Sequence, residues 1–255
     1  MSDVLERIVE AKRARLARGE YAPGATPDRP SDGASFLASL KEPGARIVAE
    51  FKARSPSAGQ IVGGADGKLE SFALAYRRGH AAAISVVTEQ DHFGGRPDWI
   101  PRAKRMSGLP VLMKDFILSE IQLDFAVSLG ADAVLLIARI LADADLAELR
   151  RGARRRNLCA VVEAHDEEDV ARAAAVEPDV LGVNARDLES FETNLDAVAA
   201  LARRMPEGPV RMAESGIFTR ADVSRLAAAG FQAFLVGEAL LKSDDPEEEL
   251  RSLRL

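Results

Sequence analysis

The sequence lacks several features that would place it in a particular class of protein. It contains a single cysteine, Cys159, so no disulfide can form within the chain, and we expect a protein of the reducing cytoplasm. It has no uninterrupted apolar run of about 18 residues, so we expect no membrane span and no membrane partner. The net charge is −6, which argues against nucleic acid as a partner.

Two recognisable kinds of site are also missing from the sequence. The histidines His80, His92 and His165 are not spaced like metal ligands, so we expect no metal, and we predict that His165 lies on the surface. The first apolar run is followed by FKARSPSAG, whereas an open, doubly wound sheet usually carries a glycine fingerprint there. Cys159 has no paired base nearby in the sequence and is expected in the core.

From Arg46 onward the sequence alternates short apolar runs with longer amphipathic segments. The runs are rich in Val, Ile, Leu and Ala without polar alternation, which is typical of strands buried on both faces of a parallel sheet. Eight such units in series favour a closed (β/α)8 TIM barrel over an open sheet. The predicted strands are 46–52, 82–89, 110–115, 132–138, 158–164, 179–184, 209–215 and 231–238.

We therefore predict an α/β fold with one domain over residues 1–255. Residues 1–44 form an N-terminal helical extension in this prediction, and residues 45–255 form the barrel. The extension contains helices at about 3–18 and 34–42, joined by the Pro/Gly-rich linker YAPGATPDRPSDG.

Local signals predict where several of the barrel helices begin and end. Thr219 is placed to cap the start of the seventh helix through its hydroxyl. Gly79, Gly130 and Gly230 precede predicted strands, and we expect each to end a helix in the left-handed conformation. These signals support a regular alternation of helix and strand.

Polar side chains concentrate in the last residues of the predicted strands. In a barrel these ends converge on one rim, where the active sites of this fold lie. One charged strand end is usually just the chain reaching solvent, but lysines and glutamates at so many ends are hard to explain in that way. A buried lysine–glutamate group also shifts pKa values toward neutrality, as acid–base catalysis requires. The residues are Glu50, Lys52, Thr88, Glu89, Lys114, Asp115, Glu163, Asn184, Glu214, Ser215, Gly237 and Glu238.

The ends of the last two strands predict a phosphate site. Ser215 and Gly216 follow strand seven, and Gly237 and Glu238 follow strand eight. The loops after strands seven and eight are the usual phosphate site of this fold, and glycine lets the backbone approach the ligand closely. Because a carboxylate repels phosphate, we expect the backbone N–H of Glu238 to face the ligand and its side chain to point away.

The order and spacing of the strand-end motifs resemble those of one enzyme family. IVAEFKARSPSAG, VLMKDFI, VVEAHDEEDV, GVNARDL, MAESGI and FLVGEALL are similar to the successive motifs of indole-3-glycerol-phosphate synthases, over nearly the whole chain. GVN or ESG alone recurs in other phosphate-binding barrels, but the ordered set of six is specific. One departure is Ala185, where many relatives carry a second Asn; this removes an amide that would brace the loop.

The resemblance implies a carboxy-lyase of tryptophan biosynthesis that works without metal or organic cofactor. Its small-molecule substrate would be 1-(2-carboxyphenylamino)-1-deoxyribulose 5-phosphate, an anthranilate-linked ribulose phosphate. Ring closure, decarboxylation and dehydration would give indole-3-glycerol phosphate. We expect such an enzyme to be a monomer.

The resemblance also implies roles in the chemistry. Lys114 would be the general acid at the substrate carbonyl, and Glu163 would stabilise the developing cation and assist proton transfer. Glu50 and Lys52 would serve the dehydration step. The division of acid roles among Glu50, Lys52 and Lys114 stays open.

Further residues are implied in binding. Asn184 and Arg186 would orient the substrate, and Glu214 would hydrogen-bond the sugar hydroxyls. The implied phosphate ligands are Lys52, Ser215, Gly216, Gly237 and Glu238. The positions that match the pocket for the anthranilate ring and its carboxylate are Ser55, Pro56, Phe93, Phe116, Leu135, Ile137, Leu188 and Leu235.

Two other functions compete with this interpretation. A phosphoribosylanthranilate isomerase needs a cysteine at the end of strand one and an aspartate at the end of strand four. Here strand one ends in Glu50-Phe51-Lys52, and Cys159 lies inside strand five, so that function is disfavoured. A non-catalytic sugar-phosphate-binding protein is the other alternative, and the complete set of lysines and glutamates argues against it.

Overall fold

The computed structural model describes residues 3–187 and 192–255. Two helices precede the first strand: α1 (Asp3–Ala17) and α2 (Gly33–Lys41). Both match the helices predicted for the N-terminal extension to within about two residues. In the described part of the chain, no helix combines the length and the apolar character needed to cross a bilayer.

Within the described residues, eight parallel strands close into a barrel in the order β1-β8-β7-β6-β5-β4-β3-β2. This confirms the predicted TIM barrel and all eight predicted strands. The strands consist almost entirely of buried residues, as expected for a sheet enclosed by helices. They are β1 (Arg46–Phe51), β2 (Ala83–Val87), β3 (Val111–Lys114), β4 (Ala133–Ile137), β5 (Cys159–Ala164), β6 (Val180–Asn184), β7 (Val210–Glu214) and β8 (Ala233–Val236).

Helices surround the barrel and alternate with its strands. A short antiparallel pairing of Arg54–Ser55 with Gly59–Gln60 interrupts the connection after β1. The helices are α3 (Leu69–Arg78), α4 (Trp99–Ser107), α5 (Glu120–Leu129), α6 (Asp143–Arg155), α7 (Glu167–Ala175), α8 (Leu195–Leu201), α9 (Arg220–Ala228), α10 (Glu238–Lys242) and α11 (Pro246–Ser252).

Side-chain alternation along the strands decides which residues enter the barrel. Glu50 is paired in register with Ser85 of β2, and Asn184 with Glu214 of β7. Since successive side chains of a strand point to opposite faces, the inward positions of each strand repeat every second residue. The apolar positions fill the barrel interior, and the polar strand ends lie above them at the carboxyl-terminal rim.

The helix ends agree with the sequence signals at all but one position. Thr219 caps α9 and forms a capping box with Asp222, as its position predicts. Gly130 and Gly230 have φ values of +79° and +106°, which confirms their left-handed conformation. Gly79 ends α3 as predicted, but its φ is −73°, and the next residue, His80, takes the left-handed turn at φ 64°. Glycine is needed there for space, since a Cβ would lie 2.7 Å from Leu250 Cδ2.

Helix α1 is fixed across the carboxyl-terminal rim by ion pairs. Lys12, which is buried, lies 2.5 Å from Asp115 just after β3, and its Nζ donates to the Tyr21 hydroxyl at 2.9 Å. Arg15 donates two hydrogen bonds of 2.7 Å to the carboxylate of Asp91. Helix α1 therefore lies over the mouth of the barrel.

The linker between α1 and α2 leads down the outside of the barrel to the opposite end. Buried Lys104 of α4 donates to the backbone oxygens of Pro30 and Gly130 and to the carboxylate of Asp132. The same carboxylate accepts the backbone N–H of Asp32. These bonds fix the end of the linker to the loop that precedes β4.

Candidate active site

A cleft of about 960 Å³, open to solvent at its mouth, lies at the carboxyl-terminal end of the barrel. Strand ends form its floor, and Val4, Leu5 and Ile8 of α1 form part of its wall. The sequence analysis did not predict that α1 contributes to the cleft. The predicted site residues that line it are Glu50, Lys52, Ser55, Pro56, Phe93, Lys114, Phe116, Leu135, Ile137, Glu163, Asn184, Arg186, Ser215 and Leu235.

Lys114 and Glu163, which line the cleft, form a cluster with buried Glu214, which does not itself line it. Lys114 Nζ donates to Glu163 Oε2 at 3.1 Å and to Glu214 Oε2 at 2.8 Å. Both carboxylates are buried, and the lysine side chain is 18% exposed. Three different strands supply the three groups, so only the closed barrel brings them together. We call them the lysine cluster.

The two carboxylates of the lysine cluster differ in charge state. Burial raises the pKa of both, but Lys114 and His165 lie near Glu163 and bring its pKa down to about 2. Glu214 has only Lys114 as a cationic neighbour among these groups; burial and the charge of Glu163 raise its pKa to about 8. The pKa values of the two carboxylates are therefore shifted in opposite directions.

The lysine itself stays protonated. Burial alone would lower the pKa of Lys114, but the negative charges of Glu163, Glu214 and Glu50 outweigh that effect and raise it. An ammonium held in this way is ready to donate a hydrogen bond to an oxygen that enters the cleft. Transfer of its proton requires that a reacting oxygen becomes at least as basic as the lysine amine.

A second pair lies beside the lysine cluster at the end of β1. Lys52 Nζ donates to Glu50 Oε1 at 2.6 Å, and Glu50 is 2% exposed. Its other oxygen, Oε2, has no hydrogen-bond partner among the described residues. The pair thus combines a proton donor with a carboxylate that has an unused acceptor.

Two glycines make room for the carboxylates. A Cβ on Gly182 of β6 would lie 2.3 Å from Glu214 Oε1, and a Cβ on Gly237 would lie 2.8 Å from Glu50 Oε1. Gly182 was not among the predicted site residues, although a glycine inside a strand is a known signal of close approach. Gly237, predicted as a phosphate ligand, also provides the space that Glu50 occupies.

The predicted phosphate loops form tight turns at the same rim. Ser215 and Gly216 both have positive φ values, 67° and 71°, directly after β7. Gly237 immediately precedes α10, which begins at Glu238. The side chain of Glu238 accepts a hydrogen bond from Lys242 at 2.6 Å and lies 3.7 Å from Arg186.

The apolar part of the cleft is formed by residues from several loops and strands. Phe93 and Phe116 face each other with ring centroids 6.1 Å apart. Leu135 and Ile137 from β4 and Leu235 from β8 complete this wall. The remaining predicted member, Leu188, lies outside the described residues.

Other strand-end residues stabilise the rim. Glu89 is buried, and its two oxygens accept the backbone N–H groups of Asp91, His92 and Phe93. This carboxylate therefore orders the turn that carries Phe93 into the cleft.

Asp115 and Thr88 also have structural partners. Asp115 pairs with Lys12 of α1 and accepts the Thr88 hydroxyl at 2.7 Å. It also accepts the backbone N–H of Phe116 at 2.7 Å, so it connects α1 to a wall residue of the cleft.

Two expectations about neighbouring positions change with the structure. The prediction that His165 lies on the surface is wrong, since its side chain is 3% exposed and lies beside Glu163. Backbone hydrogen bonds brace the loop at Ala185 without an asparagine amide. The Ala185 N–H donates to the backbone carbonyl oxygen of Glu214 at 2.8 Å, and the backbone carbonyl oxygen of Ala185 accepts the Asn194 N–H. Cys159 is buried, as predicted.

The barrel and its site define a class of protein: a (β/α)8-barrel with a lysine–carboxylate acid–base group at its carboxyl-terminal rim. The profile described as Indole-3-glycerol phosphate synthase matches residues 5–253. The chain belongs to the indole-3-glycerol phosphate synthase family.

Individual relatives agree with this, and a solved structure shares the fold. Indole-3-glycerol phosphate synthase 2 of Streptomyces coelicolor is 42% identical over 95% of this chain and 92% of its own length. The Nocardioides sp. synthase is 40% identical over 98% of this chain and 97% of its own. The structure of orotidine 5'-phosphate decarboxylase from Pyrococcus horikoshii matches with a TM-score of 0.63 at 13% identity, covering 81% of this chain and 96% of that one. At that identity the likeness concerns the fold alone.

Proposed function

We propose that this protein catalyses the indole-3-glycerol-phosphate synthase reaction, as a lyase of tryptophan biosynthesis. It converts 1-(2-carboxyphenylamino)-1-deoxyribulose 5-phosphate into indole-3-glycerol phosphate, carbon dioxide and water. The observation that carries the proposal is the contact of Lys114 with Glu163 and Glu214 in the cleft of a chain that belongs to this family.

The first step is closure of the ring. Attack of the aromatic carbon on the ketone places negative charge on the ketone oxygen and positive charge on the ring. Lys114 donates its proton to that oxygen, and the ionised Glu163 stabilises the ring cation. The carboxyl group then leaves as carbon dioxide, and its bonding electrons return to the ring.

The second step is dehydration. The new hydroxyl group leaves as water when an acid protonates it, while the electron pair of the ring nitrogen expels it and a base then removes a ring proton. Lys52 and Glu50, 2.6 Å apart, supply an acid and a base side by side. Either lysine of the cleft, Lys52 or Lys114, can serve as the acid. Kinetic measurements must therefore decide which of the two acts in the dehydration step.

Binding uses the rest of the rim. Asn184 and Arg186 orient the substrate, and Glu214 faces the sugar hydroxyls from within the lysine cluster. The phosphate is bound by Lys52 and the loops after β7 and β8, which contribute Ser215, Gly216, Gly237 and the N–H of Glu238. The anthranilate ring packs in the apolar part of the cleft, with Leu188 as a further ring contact.

The protein acts in the cytoplasm as a monomer and a single domain in this proposal. Its one cysteine is buried and unpaired. In the described part of the chain the large apolar side chains that are most exposed are scattered over different elements, as is usual for a monomer. They are Met106, Ile121, Phe218 and Leu255.

The test is turnover of the anthranilate-linked ribulose phosphate, followed by the fluorescence of the indole product. We expect wild-type turnover, and a loss of about 10²- to 10⁴-fold in Lys114→Arg, because arginine keeps the charge but does not release a proton. Lys41→Arg, on an exposed lysine at the end of α2, is the matched control and should keep wild-type activity. Product formation by Lys114→Arg at the wild-type rate would remove Lys114 from the mechanism.

A further inference from the structure

His165 lies directly behind one of the carboxylates of the lysine cluster. It follows β5, two residues after Glu163, so both side chains leave the chain on the same side. Its Nε2 lies 3.4 Å from Glu163 Oε1, and its Nδ1 lies 3.7 Å from Asp169 Oδ2. Both ring nitrogens are buried, and neither makes a well-directed hydrogen bond with the described residues.

The neighbours of the ring define which of its forms fits the site. An ionised carboxylate can only accept hydrogen bonds, and a neutral imidazole has one donor and one acceptor nitrogen. With Glu163 on one side and Asp169 on the other, both ring nitrogens face carboxylate oxygens. A neutral ring would turn a lone pair toward one of the carboxylates.

The outer carboxylate is itself held in place. Asp169 of α7 is buried, accepts the backbone N–H of His165 at 3.2 Å, and is paired with Arg139 at 3.0 Å and Arg172 at 3.8 Å. Arg139, from the turn after β4, also pairs with Asp166, the N-cap residue of α7. The histidine is thus the middle member of a chain of charges that runs from the cleft to the outside of the barrel.

We propose that His165 is a positioning residue for the catalytic carboxylate of Glu163. Lys114 donates to Glu163 Oε2 at 3.1 Å, and the His165 ring lies 3.4 Å from the other oxygen, Oε1. Held at both oxygens, the carboxylate keeps its plane and its charge while the substrate displaces groups around it. The positions of Lys114 and His165 around the carboxylate also accord with the direction of the Glu163 pKa, which lies well below its ordinary value despite burial. This inference rests on the proposed role of Glu163.

Three substitutions separate the two nitrogens of the ring. His165→Gln keeps a donor near the position of Nε2, His165→Asn keeps one near Nδ1, and His165→Leu keeps only volume. If the contact with Glu163 matters, His165→Gln retains most of kcat. His165→Asn and His165→Leu lose about 10- to 100-fold in kcat with little change in KM, as expected when a catalytic group is misplaced.

The control for loss of a histidine is His80→Asn. His80 is exposed and has a left-handed φ of 64° that asparagine tolerates, so this variant should match the wild type. Circular dichroism and thermal unfolding of all variants identify any that fail to fold. An equal kcat in the wild type and a folded His165→Leu variant overturns the proposal, and so does a loss in His165→Gln as large as in His165→Leu.

A readout independent of turnover distinguishes failure of this inference from failure of the proposed function. Carbon-13 NMR of labelled glutamate follows the titration of Glu163 in the free protein. We expect the pKa of Glu163 to rise in His165→Leu and to stay nearer the wild-type value in His165→Gln. An unchanged pKa in His165→Leu refutes the positioning role whether or not the enzyme turns over. Wild-type kcat in Glu163→Gln refutes the proposed role of Glu163 itself.

Discussion

Glu214 lies against Gly182 of the neighbouring strand β6, and Glu50 lies against Gly237, which directly follows the neighbouring strand β8. The space that a Cβ would fill at Gly182 is occupied by the Glu214 carboxylate, and that at Gly237 by Glu50. A close-packed barrel cannot shift its backbone enough to create such space, so a residue without a side chain has to leave it open. The two glycines are therefore as much part of the site as the carboxylates.

A first prediction follows for Gly182→Ala. The added methyl group, 2.3 Å from Glu214 Oε1, forces the carboxylate away from Lys114. We expect kcat to fall by about 10- to 100-fold and stability by about 1–3 kcal/mol, as in other overpacked cores. Steady-state kinetics and urea unfolding measure the two effects.

The matched control is Gly24→Ala in the linker, where the nearest atom to a new Cβ is Ser128 Oγ at 3.8 Å. This variant should keep wild-type kcat and unfold within about 0.5 kcal/mol of the wild type. Unchanged kcat in Gly182→Ala would mean that Glu214 does not need its observed position for catalysis.

The residues of the site were predictable in unequal measure. Lys114 and Glu163 stand where an apolar run stops, and that position alone assigns them to the rim. The burial of His165 could not be predicted, because a histidine just after a strand usually lies where the chain reaches solvent. Its partner Asp169 lies only four residues along the chain, on α7, so their contact is local, whereas the burial of the ring depends on the folded barrel.

At the scale of elements, α1 is the part of the site that comes from outside the barrel. Its inner face carries Leu5, Ile8, Val9 and Lys12, all buried. A lysine on an apolar helix face indicates that it has a buried partner. That this partner is Asp115 depends on how the helix crosses the rim. The strands could be predicted from short apolar runs in the sequence. The docking of α1 could not, since it depends on contacts between residues distant in sequence.

The second prediction concerns Lys12→Met. It removes the partner of buried Asp115 while keeping an apolar side chain of similar length. Breaking a buried pair in this way costs about 3–5 kcal/mol. Because Val4, Leu5 and Ile8 line the cleft, we expect KM to rise more than kcat falls.

Denaturant unfolding and steady-state kinetics test this expectation. Arg18→Met is the control, because Arg18 is 58% exposed and, among the described residues, pairs only with surface Glu20, so its loss should change stability little. Equal effects of the two substitutions would show that α1 is not fixed by the Lys12–Asp115 pair.

At the scale of the whole molecule, the lysine cluster makes stability depend on pH. The pKa of Glu214 is raised from 4.5 to about 8, so its protonated form stabilises the fold fully below pH 4.5. As pH rises to about 8, the unfolded chain has lost this proton while the folded chain still holds it, and the contribution is lost. The pKa of Glu163 is shifted the opposite way, to about 2, so its contribution changes only below pH 4.5.

The third prediction is that Glu214→Gln removes this dependence. As pH rises from 4.5 to 8, the unfolding free energy of the wild type should fall relative to that of the variant. Unfolding in urea at several pH values measures it, and Glu207→Gln, on an exposed glutamate, should give a constant difference. A constant difference for Glu214→Gln as well would mean that Glu214 is ionised throughout.

The linker of residues 18–32 follows α1, which is fixed at one end of the barrel, and its own last residues are fixed at the other end. Lys104 holds the lower end through the Pro30 oxygen, and Lys12 holds the upper end through Asp115. The linker therefore sets the effective concentration of α1 at the rim, because a helix that dissociates stays within reach of its site. A single cut among the exposed residues 22–26 would turn this intramolecular contact into the binding of a separate peptide, which dilution alone would release.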